Sequence, residues 1–298
     1  MEKTRILIDT DLGDDVDDAA AFMLALRCPE LELVGVTTVY KDTEKRAEMV
    51  RELLRLHGRE DIPVVAGCGR AIVERRFDEK EEPIQYGILR ERRGPSERET
   101  GIRAEDFILE ELKKDENLVI LGMGAMTNLA MACMKDPERM KRAKVIAMGG
   151  AFLSSRPEWN MICDPEAAAI LLETVDDLVM LGLDVTKYLK IGRDRLDAWK
   201  ERGDACMDYF LEGVERFQEA TGYPVTFHDV LLIACLLDGQ VVSLRRGQFA
   251  VELCGTYTRG TMADRSNYYE ISPKIEGNFR FADQVDLERF FAILDSRF

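Results

Sequence analysis

The chain has 298 residues, of which 46% are hydrophobic and 33% are charged, so it can bury a sizeable core and its composition excludes a disordered protein. Its formal net charge is −15 and its sequence pI is about 4.8. A protein this acidic has no general attraction to phosphate backbones or anionic membranes, so we expect neither nucleic acid nor membrane as a partner.

Apolar runs alternate with helical patterns along the first two thirds of the chain. The first five predicted elements are a strand at 5–8, a helix at 17–26, a strand at 31–39, a helix at 43–57 and a strand at 63–66. The pattern returns as a strand at 118–121, a helix at 128–134, a strand at 144–148, a helix at 165–172 and a strand at 178–183. This order predicts an α/β fold with an open, mostly parallel sheet and helices on both faces.

The rest of the chain departs from this alternation. Residues 75–106 are charged and polar and too long for an ordinary connection, so we predict a lid insertion there. After residue 186 the pattern is mostly helical, with the longest helix at 204–221. From residue 249 it predicts a small β-hairpin segment and then a final helix from about residue 286. With no repeat or linker in view, we expect one domain over residues 1–298.

Cysteine usage and apolar runs bear on the compartment. The seven cysteines are widely spaced and form no C-x-x-C pair, which is typical of reduced, structural cysteines. No signal-peptide pattern is visible, and no apolar run approaches the roughly 20 residues that span a membrane. We therefore expect a cytoplasmic protein.

Six aspartates fall within ten residues after the first predicted strand: Asp9, Asp11, Asp14, Asp15, Asp17 and Asp18. In an open α/β sheet, ligands bind beyond the carboxyl ends of the strands, where this loop is expected to lie. Carboxylates held so close together repel one another unless protons or a cation compensate their charge. Because the candidate ligands are hard oxygens, calcium or magnesium is the expected counter-ion. A solvated loop with a helix N-cap would account for one or two of these aspartates, not for six.

Two familiar metal-binding classes share such an opening only in part. An EF-hand loop needs a preceding helix and a glutamate at its twelfth position, whereas here a strand precedes and Ala20 holds that position. A haloacid-dehalogenase-like phosphatase also begins with a strand and Asp-x-Asp. That family usually continues with Gly and then Thr or Val, whereas this chain has Leu12 and Gly13. The EF-hand is excluded, and the metal-dependent phosphatase remains an alternative.

The opening resembles the signature of the nucleoside hydrolase family, Asp-x-Asp-Pro-Gly-x-Asp-Asp-Ala. Here Asp9-x-Asp11-Leu12-Gly13 is followed by two additional residues before Asp17-Asp18-Ala19. Further segments resemble family motifs in the expected order: Val36-Thr-Thr-Val39 ahead of Asp42, the segment 121–130, Met148-Gly149-Gly150, Glu158-Trp159-Asn160, the segment 164–168, and His228-Asp229-Val230. Each motif is weak alone, but together they cover about residues 5 to 240 and indicate membership of this family.

The resemblance implies a calcium ion held by the side chains of Asp11, Asp18 and Asp229 and by the backbone carbonyl of Met123. It also implies that the Asp11 carboxylate activates a calcium-bound water, which attacks the anomeric carbon of a ribose. His228 is expected to lie near the departing base and to protonate it as general acid. A structural histidine at a helix start is the alternative for His228.

Substrate contacts implied by the same resemblance are Asp17, Asp42, Glu158 and Asn160, which would bind the ribose hydroxyls, together with Met148, Trp159 and Tyr86. For Asp42 the alternative is an N-cap of the helix that begins near Thr43. Trp159 would pack against the sugar or base, or else be a buried aromatic without a role. Tyr86 falls where many family members have His-Gly near the base, so it is a candidate replacement for that contact.

The sequence therefore predicts hydrolysis of the N-glycosidic bond of a ribonucleoside, or another riboside, to ribose and free base. Two alternatives stay open beside it: the metal-dependent phosphatase, and a non-catalytic nucleoside- or sugar-binding protein. By analogy with the family we expect a homodimer or homotetramer.

Overall fold

The computed structural model describes residues 3–73, 78–91, 94–95, 99, 101–201, 203–265 and 279–298. Its strands are β1 (Thr4–Thr10), β2 (Leu31–Thr38), β3 (Val64–Ala66), β4 (Val119–Gly122), β5 (Lys144–Met148), β6 (Asp177–Leu181), β7 (Val242–Gly247), β8 (Phe249–Val251), β9 (Met262–Asp264) and β10 (Phe279–Val285). Eight of them form one sheet in the order β3-β2-β1-β4-β5-β6-β10-β7, and β8 pairs with β9 separately. The large sheet is parallel except at β7, which runs antiparallel to β10.

The helices are α1 (Asp17–Arg27), α2 (Thr43–Leu56), α3 (Ala104–Lys114), α4 (Thr127–Lys135), α5 (Pro137–Arg142), α6 (Trp159–Cys163), α7 (Pro165–Thr174), α8 (Leu183–Thr186), α9 (Arg193–Glu201), α10 (Ala205–Thr221), α11 (Val230–Leu237) and α12 (Leu287–Arg297). A 3₁₀ turn spans Tyr86–Ile88. The described helices include none that is both long and apolar enough to cross a membrane.

The side chains of β1 point alternately to the two faces of the sheet, and their contacts show which helices cover each face. Ile6 and Ile8 belong to a buried cluster with α1, α2, α10, α11 and α12, whereas Leu7 belongs to a second cluster with α3, α4, α5 and α7. Successive side chains of a strand point to opposite faces, so these clusters are the cores on the two faces of the sheet. All three residues are fully buried, as expected for a parallel strand covered on both sides.

The position of the functional site follows from the strand order. The chain runs from β1 to β2 and β3 on one side of the sheet, while β4, β5 and β6 continue on the other side. Loops leaving the carboxyl ends of β1 and β4 therefore diverge and open a crevice between them, which is where ligands bind in open α/β sheets. The aspartate-rich loop follows β1, and Met123 directly follows β4.

The predicted alternation of strands and helices is confirmed from β1 to β6, with bounds shifted by a few residues at most. The longest described helix is α10, as expected; Asp204 caps its start, and Gly222 ends it in the left-handed region at a φ of 68°. The hairpin segment is confirmed by the pairing of β8 with β9. Several elements were not predicted: helices α3, α5, α6 and α8, edge strand β7, and β10, which joins the main sheet beside β6.

The predicted lid at 75–106 falls partly on residues 75–77, 92–93, 96–98 and 100, which lie outside the described residues. Its described part contains the 3₁₀ turn, and α3 begins at Ala104 within its last residues.

Candidate active site and metal centre

Three buried carboxylates meet beyond the end of β1. Asp17 and Asp18 open α1, and Asp229 stands directly before α11. One carboxylate oxygen from each residue can be chosen so that all three lie within 4.8 Å of one another. The backbone N–H of Asp229 donates to Asp17 Oδ2 at 2.9 Å, and the Thr10 hydroxyl donates to Asp18 Oδ1. We call Asp17, Asp18 and Asp229 the aspartate trio.

The electrostatics of the trio favour a bound cation. Burial raises the pKa of all three carboxyl groups well above the ordinary value, and repulsion from neighbouring aspartates raises it further. Asp229 Oδ1 is buried and has no hydrogen-bond partner among the described residues. Hard oxygen atoms with unused acceptor capacity and excess negative charge are the donor set that calcium or magnesium prefers. The residues present therefore fit a hard divalent ion.

Asp11 lies on the loop that joins β1 to Asp17 and Asp18 at the start of α1. Burial is the main cause that raises the pKa of its carboxyl group to about 7, and the nearby Arg46 guanidinium opposes that shift. A Cβ atom at Gly124 would lie 2.9 Å from Asp11 Oδ1, so the loop after β4 approaches Asp11 this closely because residue 124 is glycine. The Asp11 charge also raises the pKa of both Asp18 and Asp229. These three predicted ligands are thus electrostatic neighbours, and Asp17, predicted as a ribose contact, joins them.

The carbonyl of Met123, the fourth predicted ligand, lies in a buried polar bridge. Asn160 Nδ2 donates to the carbonyl oxygen of Met123 at 2.8 Å and to that of Met148 at 3.3 Å. This bridge joins the ends of β4 and β5. Because a carbonyl oxygen has two lone pairs, Met123 keeps one acceptor for a metal ion. Three residues predicted from separate motifs are therefore contiguous.

Glu158 is held rigidly at the start of α6. Its carboxylate accepts hydrogen bonds from the backbone N–H groups of Gly150, Asn160 and Met161 at distances of 2.9–3.1 Å. Burial raises the pKa of Glu158, and these N–H donors oppose the shift. The side chain therefore acts as an N-cap and joins the turn after β5 to α6.

Asp42 and Tyr86 both contact α2. Asp42 caps the helix by accepting from the backbone N–H of Lys45 at 3.1 Å, so the capping role given as the alternative for Asp42 is confirmed. Tyr86 is buried, its hydroxyl donates to Glu48 Oε2, and Lys45 Nζ lies 5.2 Å from its ring centroid. The structure therefore engages Tyr86 with α2.

Trp159 and His228 differ in exposure. Trp159 is 49% exposed, so the alternative of a buried aromatic is wrong. Nδ1 of His228 lies 2.8 Å from Thr186 Oγ1, and burial lowers the pKa of the imidazole to about 4. His228 is therefore neutral at pH 7 in this structure and holds one hydrogen bond to α8.

The comparison with known families decides the class of enzyme. The family described as inosine-uridine preferring nucleoside hydrolase matches residues 6–292, which include every residue of the site above. The chain belongs to this family. Its members hydrolyse the N-glycosidic bond of ribonucleosides, which releases ribose and the free base, and they are generally metal-dependent. The resemblance seen in the aspartate-rich loop is confirmed, and the phosphatase alternative is wrong.

Individual relatives match the nucleoside hydrolase chain over nearly its whole length. The inosine-uridine preferring nucleoside hydrolase of Crithidia fasciculata is 28% identical over 97% of this chain and 96% of its own. A pyrimidine-specific ribonucleoside hydrolase of Klebsiella pneumoniae is 29% identical over 98% of this chain and 97% of its own. Among solved structures, a purine-preferring ribonucleoside hydrolase from Gardnerella vaginalis matches with a TM-score of 0.83 at 25% identity, covering 99% of this chain and 98% of that chain. The predicted fold class is confirmed.

One buried cation of this nucleoside hydrolase was missed from the sequence. Arg46 lies in the first turns of α2, is fully buried, and donates to the carbonyl oxygens of Tyr40, Asp11 and Leu12 and to the carboxylate of Asp14. A signal was available, because Arg46, Val50 and Leu53 share one face of α2 and a charge within an apolar stripe requires buried partners.

Proposed function

We propose that this nucleoside hydrolase binds calcium through the side chains of Asp11, Asp18 and Asp229 and the carbonyl oxygen of Met123. The observation that carries the proposal is the buried aspartate trio, which supplies Asp18 and Asp229, with Asp229 Oδ1 lacking a partner among the described residues. Asp11 is added from the family resemblance and is supported by its charge, which raises the pKa of both. Calcium is favoured over magnesium because it accepts irregular sets of six to eight oxygen ligands, backbone carbonyls included. Magnesium demands a near-octahedral set and keeps several waters.

Asp11 is proposed as the general base. When bound, calcium would supply the positive charge that lowers the pKa of the attacking water. Asp11 would accept the proton of the attacking water, a role supported by its half-buried place beside Asp18 and Asp229, whose pKa values its charge raises. The base departs from a ribose that becomes oxocarbenium-like, so the carboxylates around the sugar stabilise the developing positive charge.

The ribose is proposed to lie between the trio and the turn after β5. Asp17, Asp42, Glu158 and Asn160 would bind its hydroxyls, and Met148 would contact the ring. The proposal is supported by the rigidity of Glu158 and Asn160, since each is held by several hydrogen bonds to the backbone. Fixed partners keep the anomeric carbon oriented for attack.

The leaving base is proposed to contact His228, Trp159 and Tyr86. The exposed indole of Trp159 is available to stack on an aromatic ring. In its neutral form His228 can donate a hydrogen bond to the base. To act as general acid it must first take up a proton, which the negative charge developing on the base favours; it would then pass that proton to a base nitrogen and return to neutral imidazole. Tyr86 would need to exchange its hydrogen bond with Glu48 to reach the base.

The described part of the segment 75–106 supports a lid within a single domain over residues 1–298. The backbone N–H of Gln85 donates to the Gly13 carbonyl at 2.9 Å, and its side chain donates to the Asp15 carbonyl at 2.5 Å. Lys41 Nζ lies 2.7 Å from Glu81 Oε1. The contacts of Gln85 tie the segment to the aspartate-rich loop, and the contact of Glu81 ties it to the turn before α2. A homodimer or homotetramer, and a cytoplasmic location suggested by seven free cysteines, complete the proposal.

The test is release of free base from inosine, uridine, adenosine and cytidine, since the relatives named above differ in base preference. Each assay is run with calcium, with a chelator, and with calcium restored. We expect release that the chelator abolishes and calcium restores, and a fall in kcat of about 10²-fold or more for Asp11→Asn. Asp208→Asn, at an exposed position of α10, serves as the control for loss of one carboxylate.

Full activity of Asp11→Asn, or of the metal-stripped enzyme, would contradict the mechanism. Calcium binding without release from any of the four nucleosides would favour an unusual riboside or a non-catalytic binding protein.

A further inference from the structure

The loop that joins β1 to α1 is longer by two residues than the family signature it resembles. Gly13 adopts a φ of 119°, which residues with a side chain rarely adopt. The loop also turns the carbonyl oxygens of Asp11 and Leu12 into the protein, where each requires a hydrogen-bond donor. These requirements are met by one side chain from a different element.

That side chain is Arg46, which makes hydrogen bonds in three directions. Nη1 donates to the carbonyl oxygens of Asp11 and of Leu12, the latter at 2.9 Å. Nη2 donates to Asp14 Oδ2 at 2.8 Å, and Nε donates to the carbonyl oxygen of Tyr40 at 2.7 Å. The guanidinium therefore connects residues 11, 12 and 14 of the loop to Tyr40, in the turn that precedes α2.

Only an arginine can make this set of contacts. Its planar guanidinium presents five N–H donors in a fixed geometry, whereas a lysine ammonium is a single point with three. Lys41 is another described cation close to the loop, and its Nζ lies 3.6 Å from Asp14 Oδ2. Burying a guanidinium completely is costly unless its donors are satisfied, so the contacts of Arg46 hold it and the loop in one arrangement.

We propose that Arg46 is a positioning residue that holds residues 11–14 in the metal-binding conformation before the ion arrives. The inference rests on the calcium site of the proposed function. Arg46 donates to the backbone carbonyl of Asp11, one of the proposed ligands, rather than to its carboxylate. Partners that orient metal ligands in this way typically change metal affinity by about 10- to 100-fold when they are replaced.

The charge and the geometry of Arg46 act on calcium in opposite directions. A positive charge near the site repels a second cation, whereas hydrogen bonds that fix the loop reduce the ordering that calcium binding would otherwise require. Arg46→Lys keeps the charge and loses the geometry, and Arg46→Met loses both. The two variants therefore separate a positioning role from a purely electrostatic one.

The experiment is calorimetric titration of the metal-stripped protein with calcium chloride. We expect both Arg46→Lys and Arg46→Met to weaken calcium binding by about 10-fold or more. In saturating calcium we expect kcat to fall while the KM for the nucleoside changes little, because the ribose contacts outside the loop are retained. The matched control is Arg259→Lys, since Arg259 binds Glu166 through two hydrogen bonds in a different part of the molecule. It should bind calcium like the unmodified protein.

Calcium affinity within twofold of the unmodified protein in Arg46→Lys would overturn the inference, and so would tighter binding by Arg46→Met. If Arg46→Met fails to fold, Arg46→Lys decides alone. Failure of the unmodified protein itself to bind calcium would instead contradict the proposed metal site, so the two failures are distinguishable.

Discussion

Replacing Asp18 by asparagine should stabilise the metal-free protein and abolish most of the stabilisation that calcium provides. Asparagine keeps the volume of the side chain and an oxygen that accepts from the Thr10 hydroxyl, but it carries no charge. In the metal-free state the buried carboxylates of the trio repel one another, so a neutral residue at position 18 removes part of this repulsion and stabilises the folded protein. When calcium is present, the variant site has one charged ligand fewer, so calcium binding adds less to the free energy of unfolding.

The magnitude follows from the spacing of the carboxylates. Their oxygen atoms lie within 4.8 Å, at which two unit charges repel by about 3.5 kcal/mol for an effective dielectric constant of about 20. Asparagine at position 18 removes two of the three repulsions within the trio. Protons held by the trio already reduce the repulsion, at a cost of about 1.4 kcal/mol for each unit by which a pKa is raised. Two such repulsions between fully charged groups amount to about 7 kcal/mol, and the bound protons lower this, so we expect a smaller net gain in stability in chelator at pH 7.5.

The sign of the pH dependence follows from the raised pKa values. Because the folded trio binds protons more tightly than the unfolded chain, its contribution to stability is greatest below about pH 4 and is lost as the pH rises. The advantage of Asp18→Asn in chelator should therefore grow between pH 5 and pH 8. Calcium at about 100 times its dissociation constant should stabilise the unmodified protein by about 2.7 kcal/mol. Asp18→Asn should gain much less.

Urea unfolding in chelator and in calcium measures both effects. Asp14→Asn is the control, because the Arg46 guanidinium beside Asp14 holds the pKa of that carboxyl below its usual range. This variant loses an ion pair and should be destabilised in chelator, opposite to Asp18→Asn. The reasoning is refuted if Asp18→Asn is less stable than the unmodified protein in chelator, or if its gain from calcium is undiminished.

Three further predictions concern catalysis and the core. His228→Ala should lower kcat by about 10²-fold with unchanged calcium affinity, as measured by steady-state base release and calorimetry; unchanged kcat would exclude the general acid. Trp159→Ala should raise the KM by up to about tenfold with an unchanged unfolding midpoint, because the indole is half exposed. Phe22→Ala should cost about 3–5 kcal/mol in urea unfolding, since it empties a fully buried site on α1, and a loss below 1 kcal/mol would contradict the packing.

The local pattern of apolar residues predicted those strands and helices that are marked by their own sequence. Each strand from β1 to β6 is a short apolar run, and burial on both faces makes such runs visible in the sequence. Helix α3 was missed because it follows a charged, polar stretch that we assigned to the lid. Strand β7 was missed because four of its six residues are exposed, as an edge strand allows, so no apolar run marks it.

The motifs located the site but did not reveal which side chains share it. Asp11, Asp18, Asp229 and Met123 were predicted as metal ligands, and Asp17 as a ribose contact. The structure groups Asp17 with Asp18 and Asp229. Contacts of this kind depend on how α1 and α11 pack against each other, which no spacing within a motif specifies. Asp42 is the opposite case, because an N-cap is decided within one helical turn and its capping role was anticipated.

The sequence by itself determined the family, the α/β order and the acidic loop, because each depends on residues close together in the chain. Only the tertiary structure decided what surrounds that loop. Arg46 contacts Asp14 across 32 positions, and Asp229 contacts Asp17 across 212. Such pairings form when helices from distant parts of the chain cover the same end of the sheet. The charge balance of the site is therefore a property of the fold, whereas the aspartates themselves are a property of the sequence.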